Sequence, residues 1–389
     1  MTLSTKVKAL GTRHSFNGIA DSTQDIISLA HCDRVLALDR ERGTVTVQAG
    51  IRYGQLACAL HAEGFALHNL ASLPHISVAG ACATATHGSG VGNGNLATAV
   101  RALEMVIANG QIVALSRERD AETFAGAVVG LGGLGVVTQM TLDIVPTFAV
   151  RQDIYENLAL SELDTHFDEI VSSAYSVSLF TDWRGATINQ LWLKSLVTDA
   201  EAVPAAPERF GATLATIPLH PLAGISAENC TEQQGVPGPW HDRLPHFRMD
   251  FTPSVGEELQ TEYLIPYRHG RAALRALYDL RAQIAPLLQI SEIRTVAADD
   301  LWMSPCYQQP CVALHFTWLK DWSGVQRLLP EIEAALAPFD ARPHWGKLFT
   351  TSPSHLRSLY TKLPDFQRLL HTYDPNGKFR NPFLENLLF

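Results

Sequence analysis

Residues 77–94 read Ser77-Val-Ala-Gly-Ala-Cys-Ala-Thr-Ala-Thr-His-Gly-Ser-Gly-Val-Gly-Asn-Gly94. This run holds too few large side chains to form a core by itself. A backbone so free of side chains can approach a large flat ligand closely. It sits within a region, residues 6–146, whose pattern alternates short strands with short helices. Lys6–Leu10 reads as a strand entering a glycine turn. Two further strands are expected at 34–38 and 44–48, joined by the polar turn Arg40–Gly43. Tyr53, Leu56, Ala57 and Leu60 recur at helical spacing, and Gly64 ends that helix. Asn109-Gly110 marks a hairpin between strands expected at 102–108 and 111–116. A helix over 121–129 and a strand over 136–145 follow, and Pro146 closes the region.

Residues 147–360 have a different texture. Amphipathic helices are expected at 161–173, 271–284 and 324–336, and strands at 262–266 and 311–318. Asn229–Pro239 is rich in Gly and Pro and reads as a loop crossing the surface. Residues 363–389 read as a helix followed by the turn Asp374-Pro-Asn-Gly377. A chain of 389 residues exceeds one ordinary core, so two domains are expected.

Composition excludes several classes. The net charge is -9 and no Lys/Arg run occurs, which argues against a nucleic-acid surface. The six cysteines are scattered, without a CxxC pair, and read as reduced, mostly buried thiols. His75 and His87 lack a ligand partner at i+3 or i+4, so no metal site is expected. The first residues hold no apolar segment of signal-peptide length. No stretch approaches the ~20 apolar residues of a membrane helix. A cytoplasmic location without a membrane partner follows as the expectation.

Gly130-Leu-Gly132-Gly-Leu-Gly135 matches a dinucleotide fingerprint in letters only. That fingerprint needs a strand before it and a helix after it, and here the order is reversed. Gly11-Thr12-Arg13-His14-Ser15 has a better context, because a tight turn after a strand can form a nest of N–H groups for phosphate. Thr12, Ser15 and Asn17 add polar side chains. Taken alone, His14 reads as an ordinary loop histidine, and Ser72-Leu-Pro-His75 as a plain loop. In the second half, Ser291-Glu-Ile-Arg-Thr295, His315-Phe-Thr317 and His344-Trp-Gly-Lys347 place polar groups among apolar ones. Alternation puts Glu292 and Arg294 on one strand face, and His315 and Thr317 on one face of another. A structural Glu/Arg ion pair is one account. A buried lysine is costly without a partner or a function, and together these groups suit a ligand with several hydroxyls.

These motifs, taken in order, resemble the bacterial alditol (xylitol) oxidases among the flavoproteins of the vanillyl-alcohol-oxidase type. The carriers are Arg13-His-Ser-Phe-Asn17, Ser72-Leu-Pro-His-Ile-Ser-Val-Ala-Gly80, Thr86-His-Gly-Ser-Gly90, Glu292-Ile-Arg294, His315-Phe-Thr317, His344-Trp-Gly-Lys347 and the ending Asp374-Pro-x-Gly-Lys-Phe-x-Asn381. The resemblance covers nearly the whole chain. Sugar-lactone oxidases of the gulonolactone type share the plan and are the rival.

The resemblance implies an α+β, two-domain fold of the PCMH-type FAD-binding class. Residues 1–146 would bind FAD, 147–360 would form an antiparallel-sheet substrate cap, and 361–389 would return to the first domain. His14 would bond covalently to the flavin. Gly11, Thr12, Arg13, Ser15, Asn17, Ser72, Ser77, Gly80, Thr84, Thr86, His87, Gly88 and backbone near Val136 and Val137 would contact FAD. Ser72, Glu292, Arg294, His315, Thr317 and Lys347 would line the polyol pocket, with Lys347, Arg294 and Glu292 catalytic. Glu292 would orient Arg294 and accept a substrate hydroxyl. The partners implied are a small polyol and O2, and the expected state is a monomer. Two departures stand out. The family has a strand and helix ahead of the histidine loop, where this chain begins almost at that loop. Related lactone oxidases tend to have glycine where Arg13 stands, and Arg13 takes a positive φ only at a cost, so a slightly altered loop is expected.

Overall fold

The computed structural model describes residues 4–198, 204–251 and 258–389. Two antiparallel sheets dominate, and helices lie against each. Strands Val35–Asp39, Thr44–Gln48, Val136–Asp143, Val100–Val106 and Ile112–Ser116 lie side by side in that order. Every second residue turns inward: Val45, Val47, Leu103, Met105, Met140 and Leu142 are buried, as the two-residue period of a strand requires. Helix Tyr53–Ala62 buries Tyr53, Leu56, Ala57 and Leu60 into the same core, the spacing of one helical face. The run at 77–94 also enters that core. Its helix, Val78–Ala83, buries Val78, Ala79, Ala81 and Cys82.

The second sheet has ten strands among the described residues. Its middle runs Ala149–Ala159, Thr187–Val197, Ser176–Thr181, Leu288–Val296, Cys311–Leu319, Glu258–Pro266, each antiparallel to the next. Helices Glu162–Val171, Gly270–Asp279 and Trp322–Leu336 cover one face. Phe167, Ile170, Leu277, Leu329 and Ile332 pack there with Tyr263, Ile293, Val312, Leu314, Phe316 and Trp318. The residues between those strand positions, namely Gln260, Glu262, Glu292, Arg294, His315 and Thr317, belong by alternation to the other face. Apolar burial on one side therefore fixes which polar groups look the other way.

Three expectations change. Strand Glu258–Pro266 begins before residue 262, which brings Gln260 and Glu262 into register with the strand beside them. Asn229–Pro239 is not a loop that simply crosses the surface. Cys230, Thr231 and Gln233 are buried, Gln233 exchanges bonds with the Leu219 backbone, and Gly238–Pro239 pairs with the edge of Ala149–Ala159. Buried backbone there needs partners, and these contacts supply them. The helix expected over 271–284 divides into Gly270–Asp279 and Arg281–Ile284.

The chain's end clasps its beginning. Asp374 accepts from the N–H groups of Lys378 (2.6 Å) and Phe379 (2.7 Å). Asn381 donates to Gly18 O at 2.8 Å and Asp21 O at 2.7 Å. The glycine-rich turn has a helix before it and a strand after it, as read from the sequence. What it holds is the Lys8 ammonium, which donates to Gly132 O at 2.8 Å and Phe379 O at 3.3 Å. All six cysteines are free thiols, four of them buried.

Burial lowers Lys8 from its usual 10.5 to about 7, against the pull of Asp374. Lys194, which donates to Leu244 O and Pro245 O, is lowered to about 7 by burial too. Between pH 7 and 10 the unfolded chain then holds more protons on these lysines than the folded one. Their contribution to stability rises with pH through that window and is flat below it, by at most about 1.4 kcal/mol per pH unit for each. Urea midpoints measured from pH 7 to pH 9 should climb, and less steeply in a Lys8→Met variant. Equal slopes in the two proteins would contradict the assignment.

Candidate active site

Strand Val7–Leu10 runs into the loop Gly11–Asn17. Arg13 sits there at φ 59°, so the loop takes a left-handed turn without glycine. The conformation costs an L-residue roughly 1–2 kcal/mol and persists because both flanks are clamped. On one side, Thr12 Oγ1 accepts from Ser77 N at 3.1 Å. On the other, Phe16 N donates to Gly346 O at 2.8 Å. The Asn17 amide donates to Trp345 O at 2.8 Å and Lys347 O at 2.7 Å.

His14 is exposed on this loop, its Nδ1 3.1 Å from Thr12 O. Desolvation lowers its pKa, with Lys347, His75 and Arg52 adding to the effect against the Thr12 bond. The ring is therefore neutral at pH 7. Around it the backbone lies bare. A Cβ on Gly11 would come 2.3 Å from Ser77 Oγ, and one on Gly80 would come 2.7 Å from it. Thr84 and Thr86 share a hydroxyl contact of 3.2 Å beyond helix Val78–Ala83, and Gly88 packs against Leu70 O, where a Cβ would clash at 2.3 Å. Ser15 lies beside Gly346. Val137 lies in the five-stranded sheet, paired with Met105.

The second group is the polar face of the larger sheet. Glu292, His315 and Glu262 are opposite one another on three adjacent strands. Arg294 donates through one terminal nitrogen to Glu262 Oε1 at 2.8 Å and through the other to Ser72 Oγ at 3.3 Å. Its Nε is 3.6 Å from Glu292 Oε1. Glu262 also faces His87 Nε2 at 3.3 Å and His315 Nδ1 at 3.6 Å. Glu292 takes a 2.8 Å bond from His246 Nε2, and the backbone N–H of His246 donates to Ser72 O at 3.0 Å. His315 Nε2 and Thr317 Oγ1 are 3.2 Å apart. Lys347 donates to Gln260 Oε1 and lies 4.7 Å from the centre of the Phe16 ring. Lys347 thus joins the sheet face to the His14 loop, through its own carbonyl on Asn17 and its ammonium over Phe16.

Charge is unevenly solvated here. Glu262 and Glu292 are buried, and burial alone would raise their pKa values. His87 and Arg294 outweigh it at Glu262, and Arg294 and His246 do so at Glu292, so both carboxyls stay well below the usual range. Burial opposes the Arg294 charge, and the two carboxylates more than restore it. Lys347 is lowered to about 8 by burial, with Glu262 the main opposing influence. Burial holds His246 at about 4 and His344 at about 3 and lowers His315, leaving all three neutral at pH 7. Fixed charges of both signs and neutral imidazoles can bind hydroxyls and steady negative charge on an oxygen. An apolar ligand would leave these groups unpaired, at about 1–3 kcal/mol each.

Every pocket residue expected from sequence lies on this face or touches it. Two roles shift. The near partner of Arg294 is Glu262, not Glu292. His87 turns its Nε2 into the carboxylate cluster and is 2% exposed. Glu262, Gln260 and His246 were not foreseen. The alternation Gln260, Glu262, Leu264 against Leu259, Thr261, Tyr263 is a strand signal once the strand is started at Glu258. His246 has no such signal, since it reaches Glu292 only through the fold.

The sequence family described as FAD binding domain matches residues 2–116, and that described as D-arabinono-1,4-lactone oxidase matches residues 254–387. The chain is 51% identical to an alditol oxidase of Streptomyces sp., over 96% of this chain and 89% of that protein. It is 29% identical to an L-gulono-1,4-lactone dehydrogenase of Mycobacterium tuberculosis, over 98% and 90%. It is 27% identical to the L-gulonolactone oxidase of Bos taurus, over 99% and 90%. The solved structure of cholesterol oxidase from B. sterolicum shares the fold, with a TM-score of 0.78 at 14% identity, over 99% of this chain and 90% of that one.

Proposed function

The chain belongs to the alditol oxidase family, and from that premise we propose how its two groups of residues work together. It is an FAD-dependent oxidoreductase that acts on alditols. The loop fits the cofactor: bare backbone at Gly11 and Gly80 flanks Ser77, and a neutral histidine stands exposed beside it. We assign residues 1–146 to FAD, 147–360 to the cap, and 361–389 to the return. When bound, FAD would supply the two-electron oxidation of the substrate's terminal CH–OH to the aldose, with the two electrons and two protons released there ending on O2 as H2O2.

His14 is the proposed point of covalent attachment, because a neutral imidazole keeps a ring nitrogen lone pair available. Lys347 and Arg294 steady the negative charge that grows on the substrate oxygen as its proton leaves, an effect commonly worth roughly 10²–10³-fold per well-placed donor. Glu292 accepts a hydroxyl, with His246 holding its carboxylate in place. Ser72, His315 and Thr317 read the remaining hydroxyls. The observation that carries this reading is Lys347, which ties a polar sheet face to the loop that bears His14. One chain supplies every proposed group, which supports a working monomer. Among the described residues no helix is long and apolar enough to cross a membrane, and a cytoplasmic location is proposed. The match of residues 254–387 to the lactone oxidase family keeps a sugar-lactone substrate as the rival.

Acid precipitation should leave the yellow colour in the pellet, with a flavin-bearing peptide containing His14 by mass spectrometry. His14→Ala should release it. Colour wholly in the supernatant of the parent protein contradicts the attachment.

Lys347→Ala should keep its flavin content and lose roughly 10²–10³-fold in kcat/KM for xylitol. In the parent, kcat/KM should fall as pH rises past about 8 and Lys347 loses its proton. A Lys347→Ala protein that reduces its flavin at the parental rate removes this lysine from the reaction.

A further inference from the structure

Arg294 lies between two carboxylates and pairs unequally with them. Glu292 sits two residues away on the same strand, yet its Oε1 is 3.6 Å from Arg294 Nε, and that Nε has no hydrogen-bond partner. Glu262, two strands over, takes the terminal nitrogen at 2.8 Å. A guanidinium is planar and rigid, so fixing one nitrogen fixes where the others point. Here the second terminal nitrogen is aimed at Ser72 Oγ, on a loop that also receives His246 N through Ser72 O. Without the pull from Glu262, the better-matched geometry for Arg294 is a two-point pair with Glu292. That pairing would withdraw the guanidinium from Ser72 and occupy the carboxylate that the polyol needs.

We infer that Glu262 is the positioning residue of this pocket: its buried carboxylate draws Arg294 away from Glu292, so that Arg294 reaches toward Ser72 and Glu292 stays available to a substrate hydroxyl. The same carboxylate faces His87 and His315 and balances the ammonium of Lys347. The charged or titratable groups around that ammonium are Glu258 and Glu262 on one strand, Glu292 and Arg294 on another, His315 on the strand between, His344 on its own segment, and His14 on the loop. The inference rests on the pocket reading given above, in which Arg294 and Glu292 touch the polyol.

The test is a double-mutant cycle with Glu262→Gln and Arg294→Met, measured on the FAD-loaded enzyme. Glu262→Gln should lower kcat/KM for xylitol roughly 100-fold with flavin content unchanged, and move the alkaline fall in kcat/KM to lower pH. In the Arg294→Met background, at a pH low enough to keep Lys347 protonated, the same change should cost less than about 3-fold, because the two residues then act as one unit. The anaerobic rise in Tm produced by xylitol should shrink in Glu262→Gln, a binding readout separate from turnover. Glu262→Asp keeps the charge with less reach and should lose roughly 10-fold, again with no further loss beside Arg294→Met; it carries the cycle if Glu262→Gln does not fold. Full multiplicative losses, or a Glu262→Gln enzyme with parental kcat/KM and pH profile, overturn the inference. If the parent oxidises gulonolactone and not xylitol, the pocket reading fails on that result alone, and the cycle on the lactone still decides the role of Glu262.

Discussion

A guanidinium shut away from water must be compensated, and much of the site follows from how Arg294 is compensated. Taking such a charge out of water costs several kcal/mol unless partners surround it. Here two carboxylates do so, each itself buried and each needing further donors. Glu262 finds them in His87 and His315, and Glu292 in His246. With Lys347 added, the cluster contains two negative and two positive side chains, besides the imidazoles of His246, His315 and His344 held neutral by burial. This balance allows a dense polar cluster to sit on a sheet whose other face is largely apolar. On the proposed reading it also preorganises the donors, so that little rearrangement would be needed as a substrate oxygen became negative.

The sheet supplies the order. Val312, Leu314, Phe316 and Trp318 bury against the helices, which forces His315 and Thr317 to the opposite face. Glu292 and Arg294 obey the same rule one strand away. A one-residue slip in any of these strands would exchange the hydrocarbon face for the polar one, so the core's demand for burial sets the register of the site. The loop with His14 is placed differently, by a hydrogen bond from Ser77 N and by bonds donated to the carbonyls of Gly346, Trp345 and Lys347, and these hold Arg13 in a conformation it would not choose alone.

This division explains what could be read from the sequence. Local periodicity carried the strands, the main helices and the pairs Glu292/Arg294 and His315/Thr317. The bare segment Ser77–Gly94 suggested a place for a flat ligand, and the whole series of motifs pointed to the flavin fold. Glu262 was missed because its strand was started too late, which hid the alternation containing Gln260. His246 was beyond reach: it stands on an irregular segment, and long-range contacts bring it to Glu292, among them the bonds from Lys194 to Leu244 O and Pro245 O, from Thr231 N to His246 O and from His246 N to Ser72 O. The same limit applied to Asn229–Pro239, whose Gly and Pro content suggests an exposed loop while its end pairs with the sheet edge and the Gln233 side chain bonds the Leu219 backbone. Arg13 shows the converse, a local preference overridden by its neighbours.

The central claim is that this polar face recognises an open-chain polyol while the substrate's terminal carbon is oxidised. The direct measurement is kcat/KM with peroxide release for xylitol, sorbitol, glycerol, 1-propanol and a gulonolactone. Xylitol and sorbitol should lead, with 1-propanol lower by at least ~100-fold because it leaves most of the pocket's buried groups unpaired, and with the lactone below both alditols. A lactone oxidised more efficiently than xylitol, or 1-propanol equal to it, would contradict the account.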